Sequence, residues 1–285
     1  MTRVAFLPGN GGLPKLQITT EWSAAEIYVH GAHVTQFQKH GEPPLLFLSK
    51  QSRFQPDAPI RGGIPIIFPW FGKPVGRSGQ HGFARNRSWT LQEITTPAPG
   101  TISARFRLPL DLELGDGRVV VDYLVTIGQT LTAELSVTNH SARTFDFENC
   151  LHTYFAVGDI NTLRVVGLQG VDYLDSLEGH RRKTEASDAI HFTGEVDRTF
   201  INTRHRVDIH DPAWRRLIRV EKTGGASTVV WNPWIAKAKA MTDFGNEEYQ
   251  SMVCVESGNV ATNQIALPPE ETATLTVQLS SEALS

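Results

Sequence analysis

Apolar and polar positions alternate along much of the chain. In residues 101–108, Ile102, Ala104, Phe106 and Leu108 fall on one side, and Thr101, Ser103, Arg105 and Arg107 on the other. Leu131, Ala133, Leu135 and Val137 interleave with Thr132, Glu134, Ser136 and Thr138, and Ala273, Leu275, Val277 and Leu279 with Thr272, Thr274, Thr276 and Gln278. A period of two puts successive side chains on opposite faces of a strand, so each run predicts a strand dry on one face and wet on the other. Antiparallel sheets packed in pairs produce this pattern.

Turn residues punctuate the runs. Gly115-Asp116-Gly117, Gly128-Gln129 and Gly224-Gly225 offer the positive φ that hairpins use. Gly117 and Gly128 bracket the Arg118–Ile127 run, which predicts two successive hairpins. Helical periodicity is confined to a short stretch at 235–243. No composition shift, repeat or low-complexity tract marks a linker, so residues 1–285 are expected to form a single all-β sandwich domain of large antiparallel sheets with very little helix. A chain of 285 residues can bury a large core without staples.

Charge and cysteine content narrow the partners. The formal net charge is -3, which gives no footprint for nucleic acid. A slightly acidic protein that binds an anion must gather its positive charge locally, so the arginines matter. The two cysteines, Cys150 and Cys254, are not in a CxxC pair. They read as two buried free thiols in a reducing compartment, with a disulfide between them left open. The N-terminus lacks the apolar core of a secretory signal, and no stretch reaches the roughly 18 apolar residues of a membrane span, so the expected location is cytoplasmic, away from membranes.

Six segments break the alternation. Residues 61–72, RGGIPIIFPWFG, combine three glycines, two prolines and three aromatics. Proline is poorly tolerated in central strands, so this reads as a fixed loop, with backbone approaching something closely at Gly62 and Gly63. The others are QHGFARNRSW with His81 and Arg85, NCLHTYFAVGD with His152, GEVDR with Asp197, VVWNPWIAK, and SMVCVESGN with Glu256. Each has a plain structural reading on its own: a core histidine, a solvated arginine, a surface salt bridge, a packed corner. Glu256 stands out, because a carboxylate ending an apolar run pays desolvation unless it has a task or a partner.

The chain has no GxxxxGK[ST] or GxGxxG phosphate loop, no GxSxG elbow and no HExxH-type spacing. Acid–base chemistry by His and Glu with Arg nearby remains, and neither a cofactor nor a metal is expected.

Taken together and in order, RGGIPIIFPWFG, QHGFARN, LHTYF, VDR, WNPW and VESGN resemble the aldose 1-epimerase (mutarotase) superfamily, and within it the glucose-6-phosphate 1-epimerase branch. The similarity runs from about Leu16 to Leu279. It implies a galactose mutarotase-like β-supersandwich with the site on a concave face, no cofactor, and a hexose 6-phosphate substrate. It also implies roles. His152 in LHTYF and Glu256 in VESGN match the catalytic histidine and glutamate. Asp197 in VDR matches an aspartate that binds sugar hydroxyls, and Arg61, Gln80 and Arg85 match substrate-binding positions. His81 falls where galactose mutarotases carry a second site histidine. The chain is expected to act as a monomer.

These residue types suit anomer interconversion. The ring opens only if the C1 hydroxyl loses a proton and the ring oxygen gains one; a carboxylate suits the first step and an imidazolium the second. Arg61 and Arg85 offer planar forked donors for a phosphate dianion, and Trp70, Trp231 or Trp234 could wall the sugar's C–H face. Two other readings stay open: an epimerase of free sugars, which has no need of the arginine pair, and a non-catalytic carbohydrate-binding sandwich, which has no need of His152 and Glu256 on one ligand.

Overall fold

The computed structural model describes residues 2–73, 79–109, 112–113 and 118–284. The alternating runs are strands of one antiparallel ten-stranded sheet. Its order is Ala189–Ile190, Arg164–Val166, Val207–Asp211, Arg216–Thr223, Thr272–Ala283, Leu131–Asn139, Arg118–Ile127, Thr101–Arg107 and Thr90–Ala98, with Leu112–Glu113 paired to Arg118–Ile127. The expected parity holds: Leu131, Ala133, Leu135 and Val137 are buried, and the three residues between them, with Thr138 after them, are partly exposed.

A second antiparallel sheet of eight strands carries the segments that break the pattern. It runs Arg181–Thr184, Asp172–Asp175, Val196–Ile201, Ser227–Asn232, Met252–Asn259, Asn149–Leu151 and Ile66–Ile67, with Tyr154–Ala156 also on Met252–Asn259. Ser227–Asn232 and Met252–Asn259 are buried along their whole length. Both faces of these central strands are covered, which is why their sequences read as continuous apolar runs rather than alternation. Val230, Val253 and Val255 belong to the same apolar cluster as Val220, Leu275 and Val277 of the larger sheet. A four-stranded sheet, from Arg3–Pro8 to His33–Lys39, completes the sandwich together with the pair Phe145–Phe147 and Ile265–Leu267.

Two details differ from the sequence reading. Gly128 and Gln129 close the expected hairpin, with Ile127 opposite Leu131. Gly224-Gly225, by contrast, joins Arg216–Thr223 of one sheet to Ser227–Asn232 of the other, so it is a crossover. Gly224 needs its positive φ of 72° there, since a Cβ would lie 1.8 Å from the Thr274 carbonyl oxygen. The helix spans Trp234–Ala240 and ends short of 243, because Met241 is already extended. The Gly115-Asp116-Gly117 turn lies outside the described residues. No helix among the described residues is long and apolar enough to cross a membrane.

Candidate active site

Strand register aligns the site. Asp197 stands opposite Trp231, Trp231 opposite Cys254, and Cys254 opposite Tyr154, so these four residues share one row and one face of the eight-stranded sheet. Glu256, two residues on from Cys254, faces the same way. Asn149–Leu151 and Tyr154–Ala156 both pair with Met252–Asn259, and His152 and Thr153 fall between the two pairings. The break frees His152 from the ladder beside Glu256.

The 61–72 segment holds that break in place. The Pro65 carbonyl accepts from His152 N–H at 3.0 Å, and the Gly63 carbonyl from Tyr154 N–H at 2.9 Å. The close approach read at Gly62 and Gly63 is to the protein's own backbone. A Cβ on Gly62 would sit 2.4 Å from the Phe47 oxygen, and one on Gly63 2.2 Å from the Val34 oxygen, with φ of 119° and 60°. Buried His33 Nε2 lies 2.7 Å from the Gly62 oxygen.

All seven residues singled out in the sequence, Arg61, Gln80, His81, Arg85, His152, Asp197 and Glu256, line one pocket of about 390 Å³. That volume suits a small-molecule site. His152 Nε2 lies 3.2 Å from Glu256 Oε1 at its floor, and the two residues are 7% and 1% exposed. The imidazole stacks on Tyr154 at 4.8 Å, with the Trp231 and His81 rings edge-on to it. The Cys150 thiol donates to Glu256 Oε2 at 3.6 Å.

The cations differ in how fully they are engaged. Arg61 donates to Asp243 Oδ2 through Nε and Nη2 at 3.2 and 3.0 Å, and to the Tyr154 hydroxyl through Nη1 at 2.9 Å. Arg85 donates through Nη2 to the Gln80 carbonyl at 2.8 Å, while its buried Nε has no partner. Burial and the Arg61 charge pull Arg85 down to about 10, so it remains a cation near neutrality. His81 accepts from Gly72 N–H at Nδ1, and its Nε2 lies 3.0 Å from the Gln80 side-chain nitrogen. Burial, with Arg85 and Arg61 close by, lowers it to about 3 and leaves it neutral.

Burial drives the pair on the floor toward neutral forms. It lowers His152 well below the ordinary imidazole range, and the nearby Arg85 and Arg61 charges push it the same way. It raises Glu256 well above the carboxylate range, reinforced by Asp197. The two therefore titrate as a unit that holds one proton across the 3.2 Å contact.

Several lining residues carried no assignment from sequence. Lys73, Ser176, His180 and Lys237 all face the pocket. Lys237 Nζ bonds Glu195 Oε1 at 2.9 Å and lies 3.8 Å from Asp197 Oδ2. Of the two acids in GEVDR, Asp197 lines the pocket and Glu195 serves Lys237. Trp231 is the tryptophan at the site; Trp70 packs edge-on against Phe83, and Trp234 packs against Tyr249.

A family model described as aldose 1-epimerase matches residues 14–280. The chain belongs to the aldose 1-epimerase family. Within and around that family, a Cenchrus ciliaris protein named "Putative glucose-6-phosphate 1-epimerase" is 40% identical over 258 residues, covering 87% of this chain and 78% of that one. An Escherichia coli K12 protein of the same name is 32% identical over 247 residues, covering 84% and 81%. The crystal structure of a Salmonella typhimurium protein described as a "putative mutarotase" superposes with a TM-score of 0.90 at 26% identity, covering 98% of this chain and 94% of that one. Galactose 1-epimerase from Lactobacillus acidophilus, at 12% identity and a TM-score of 0.67, shares the fold across the full length of both chains.

Proposed function

We propose that this aldose 1-epimerase family member interconverts the α and β anomers of glucose 6-phosphate, with His152 and Glu256 moving the protons and Arg61, Gln80, His81, Arg85 and Asp197 binding the substrate. One observation carries the reading. The buried His152–Glu256 pair opens onto the same pocket as Arg85, whose Nε lacks a protein partner. Relatives that carry the glucose-6-phosphate 1-epimerase name support the substrate class.

In the proposed cycle Glu256 takes the proton of the C1 hydroxyl. The C1–O5 bond breaks as the carbonyl forms, and O5 takes a proton from His152. The aldehyde rotates about C1–C2, and O5–H attacks the other face of C1. O5 returns its proton to His152 and Glu256 returns its own to O1, so the pair ends as it began. The cycle starts from the tautomer with the proton on His152, reached from the neutral pair by transfer across the 3.2 Å contact. Arg85 clamps the phosphate with donors that Arg61 has largely committed to Asp243 and Tyr154. Asp197 accepts from sugar hydroxyls, and Trp231 faces the C–H surface. We take the whole chain as one domain, since one apolar cluster spans Leu16 to Leu279, and propose that it acts as a monomer in the cytoplasm.

The pH profile tests the pair. The active form holds one proton. A second proton goes on only below the ordinary imidazole value of 6.5, because His152 is lowered; the last comes off only above the ordinary carboxylate value of 4.5, because Glu256 is raised. After subtraction of the spontaneous reaction, kcat/KM should be bell-shaped, with its acid limb below pH 6.5 and its alkaline limb set by loss of the shared proton. An acid limb centred at or above 6.5 would mean that His152 is not buried in the way described. Exchange should also survive exhaustive chelation with EDTA; a loss restored by a divalent ion would contradict the metal-free cycle. Anomer exchange on glucose 6-phosphate with and without protein is the overall test.

A further inference from the structure

Cys254 lies directly behind the acid–base pair, and the proposed cycle does not use it. It is fully buried and is a free thiol. Its sulfur, a nitrogen of His152 and a carboxylate oxygen of Glu256 all lie within 4.8 Å of one another. The register explains the grouping: Cys254 and Glu256 are alternate residues on one face of a strand, and His152 fills the gap in the strand that pairs with it.

We infer that His152, Cys254 and Glu256 form a site for a thiol-seeking divalent cation of the zinc type, and that occupancy of this site switches the pocket off. One thiolate, one imidazole and one carboxylate are the donor types zinc takes, and three protein ligands beside an open pocket leave a fourth position for water. Zinc bonds of about 2.0–2.3 Å place ligand atoms roughly 3.3–3.8 Å apart in a tetrahedron. The His152–Glu256 contact at 3.2 Å is already near that spacing, so closure needs a shift of at most about 1–1.5 Å by the thiol. Cys150 donates to the other oxygen, Glu256 Oε2, and does not belong to the triad.

The chemistry makes the site inhibitory and reversible. Binding releases two protons to solvent, the Cys254 thiol proton and the proton that His152 and Glu256 share, since the coordinating thiol, imidazole nitrogen and carboxylate oxygen must all be free of protons. The remaining ring proton of His152 stays on Nδ1, which is buried and without a partner. A metal-held His152 and Glu256 can neither give nor take a proton. The Arg61 and Arg85 charges in the same pocket weaken the site relative to a closed structural zinc centre. The inhibitory half rests on the proposed roles of His152 and Glu256; the binding half does not.

Cobalt(II) alone is the probe for binding. Titration of the full chain should give a near-ultraviolet thiolate-to-cobalt band that zinc(II) abolishes. The band should be lost in Cys254→Ala and Cys254→Ser, and kept in Cys150→Ala, with melting temperatures confirming that each variant is folded. Zinc(II) should inhibit exchange in the wild type. In Cys254→Ala the half-inhibiting concentration should rise by at least about 10-fold, the lower end of what loss of even an outer-shell partner costs, while activity in EDTA stays at the wild-type level. No cobalt band, a band that follows Cys150, or equal zinc sensitivity in Cys254→Ala would each overturn the site. A Cys254-dependent band in a protein without exchange activity would leave the metal site standing and remove the epimerase reading instead.

Discussion

Glu256→Gln should lower catalysed anomer exchange by roughly 10²–10⁴-fold, the range a positioned acid or base contributes, and His152→Ala should fall in the same range. The glutamate variant is the more informative because it separates catalysis from folding. Burial raises Glu256, so at neutral pH its ionisation favours the unfolded chain. The stability involved is fully present below the ordinary carboxylate value of 4.5 and is lost as pH rises above it. A neutral glutamine of the same shape escapes that loss. The variant should therefore melt at or above the wild-type temperature at pH 7 while losing exchange. Near-wild-type activity in Glu256→Gln would remove Glu256 from the proton path.

Arg85→Ala should weaken glucose 6-phosphate by roughly 10–100-fold, as expected for charge-assisted hydrogen bonds of about 1.5–3 kcal/mol. Any slow turnover of free glucose should barely change, because it has no phosphate to lose. The contrast between the two sugars is the readout; a misfolded variant loses both together. The effect should shrink with added salt, since the pocket opens to solvent and salt competes for an anion site. Arg61→Ala is a less clean probe. Its guanidinium also ties Asp243 to Tyr154, and Tyr154 stacks on His152, so its removal should disturb rate as well as affinity. Equal losses on both sugars in Arg85→Ala would make that arginine structural.

The larger sheet was legible because its strands are wet on one face, and half-burial writes itself as alternation. The site sheet was harder. Ser227–Asn232 and Met252–Asn259 are covered on both faces, so periodicity is silent there. The site segments drew notice through residues that fit no strand: the prolines and glycines of 61–72, and a glutamate at the end of an apolar run. Which of them meet could not be read from spacing, because Asp197, Trp231, Cys254 and Tyr154 come together only through register across four strands. Resemblance to the family supplied that grouping. Asp243 escaped notice because it follows the helix, and nothing local links it to Arg61, 182 residues away. Gly224-Gly225 was read as a hairpin because positive φ serves a crossover between sheets equally well. Burial also changed the expected protonation: a carboxylate and an imidazolium were natural partners on paper, but a dry floor favours the neutral pair with the same single proton.

The most direct measurement is saturation-transfer NMR of α/β exchange on glucose 6-phosphate and on free glucose, with and without the protein. Exchange of the phosphosugar should rise far above the spontaneous rate in proportion to protein, and that of glucose should rise little. Exchange of glucose 6-phosphate unchanged by protein would contradict the epimerase reading, and equal acceleration of both sugars would contradict the phosphate's place in it.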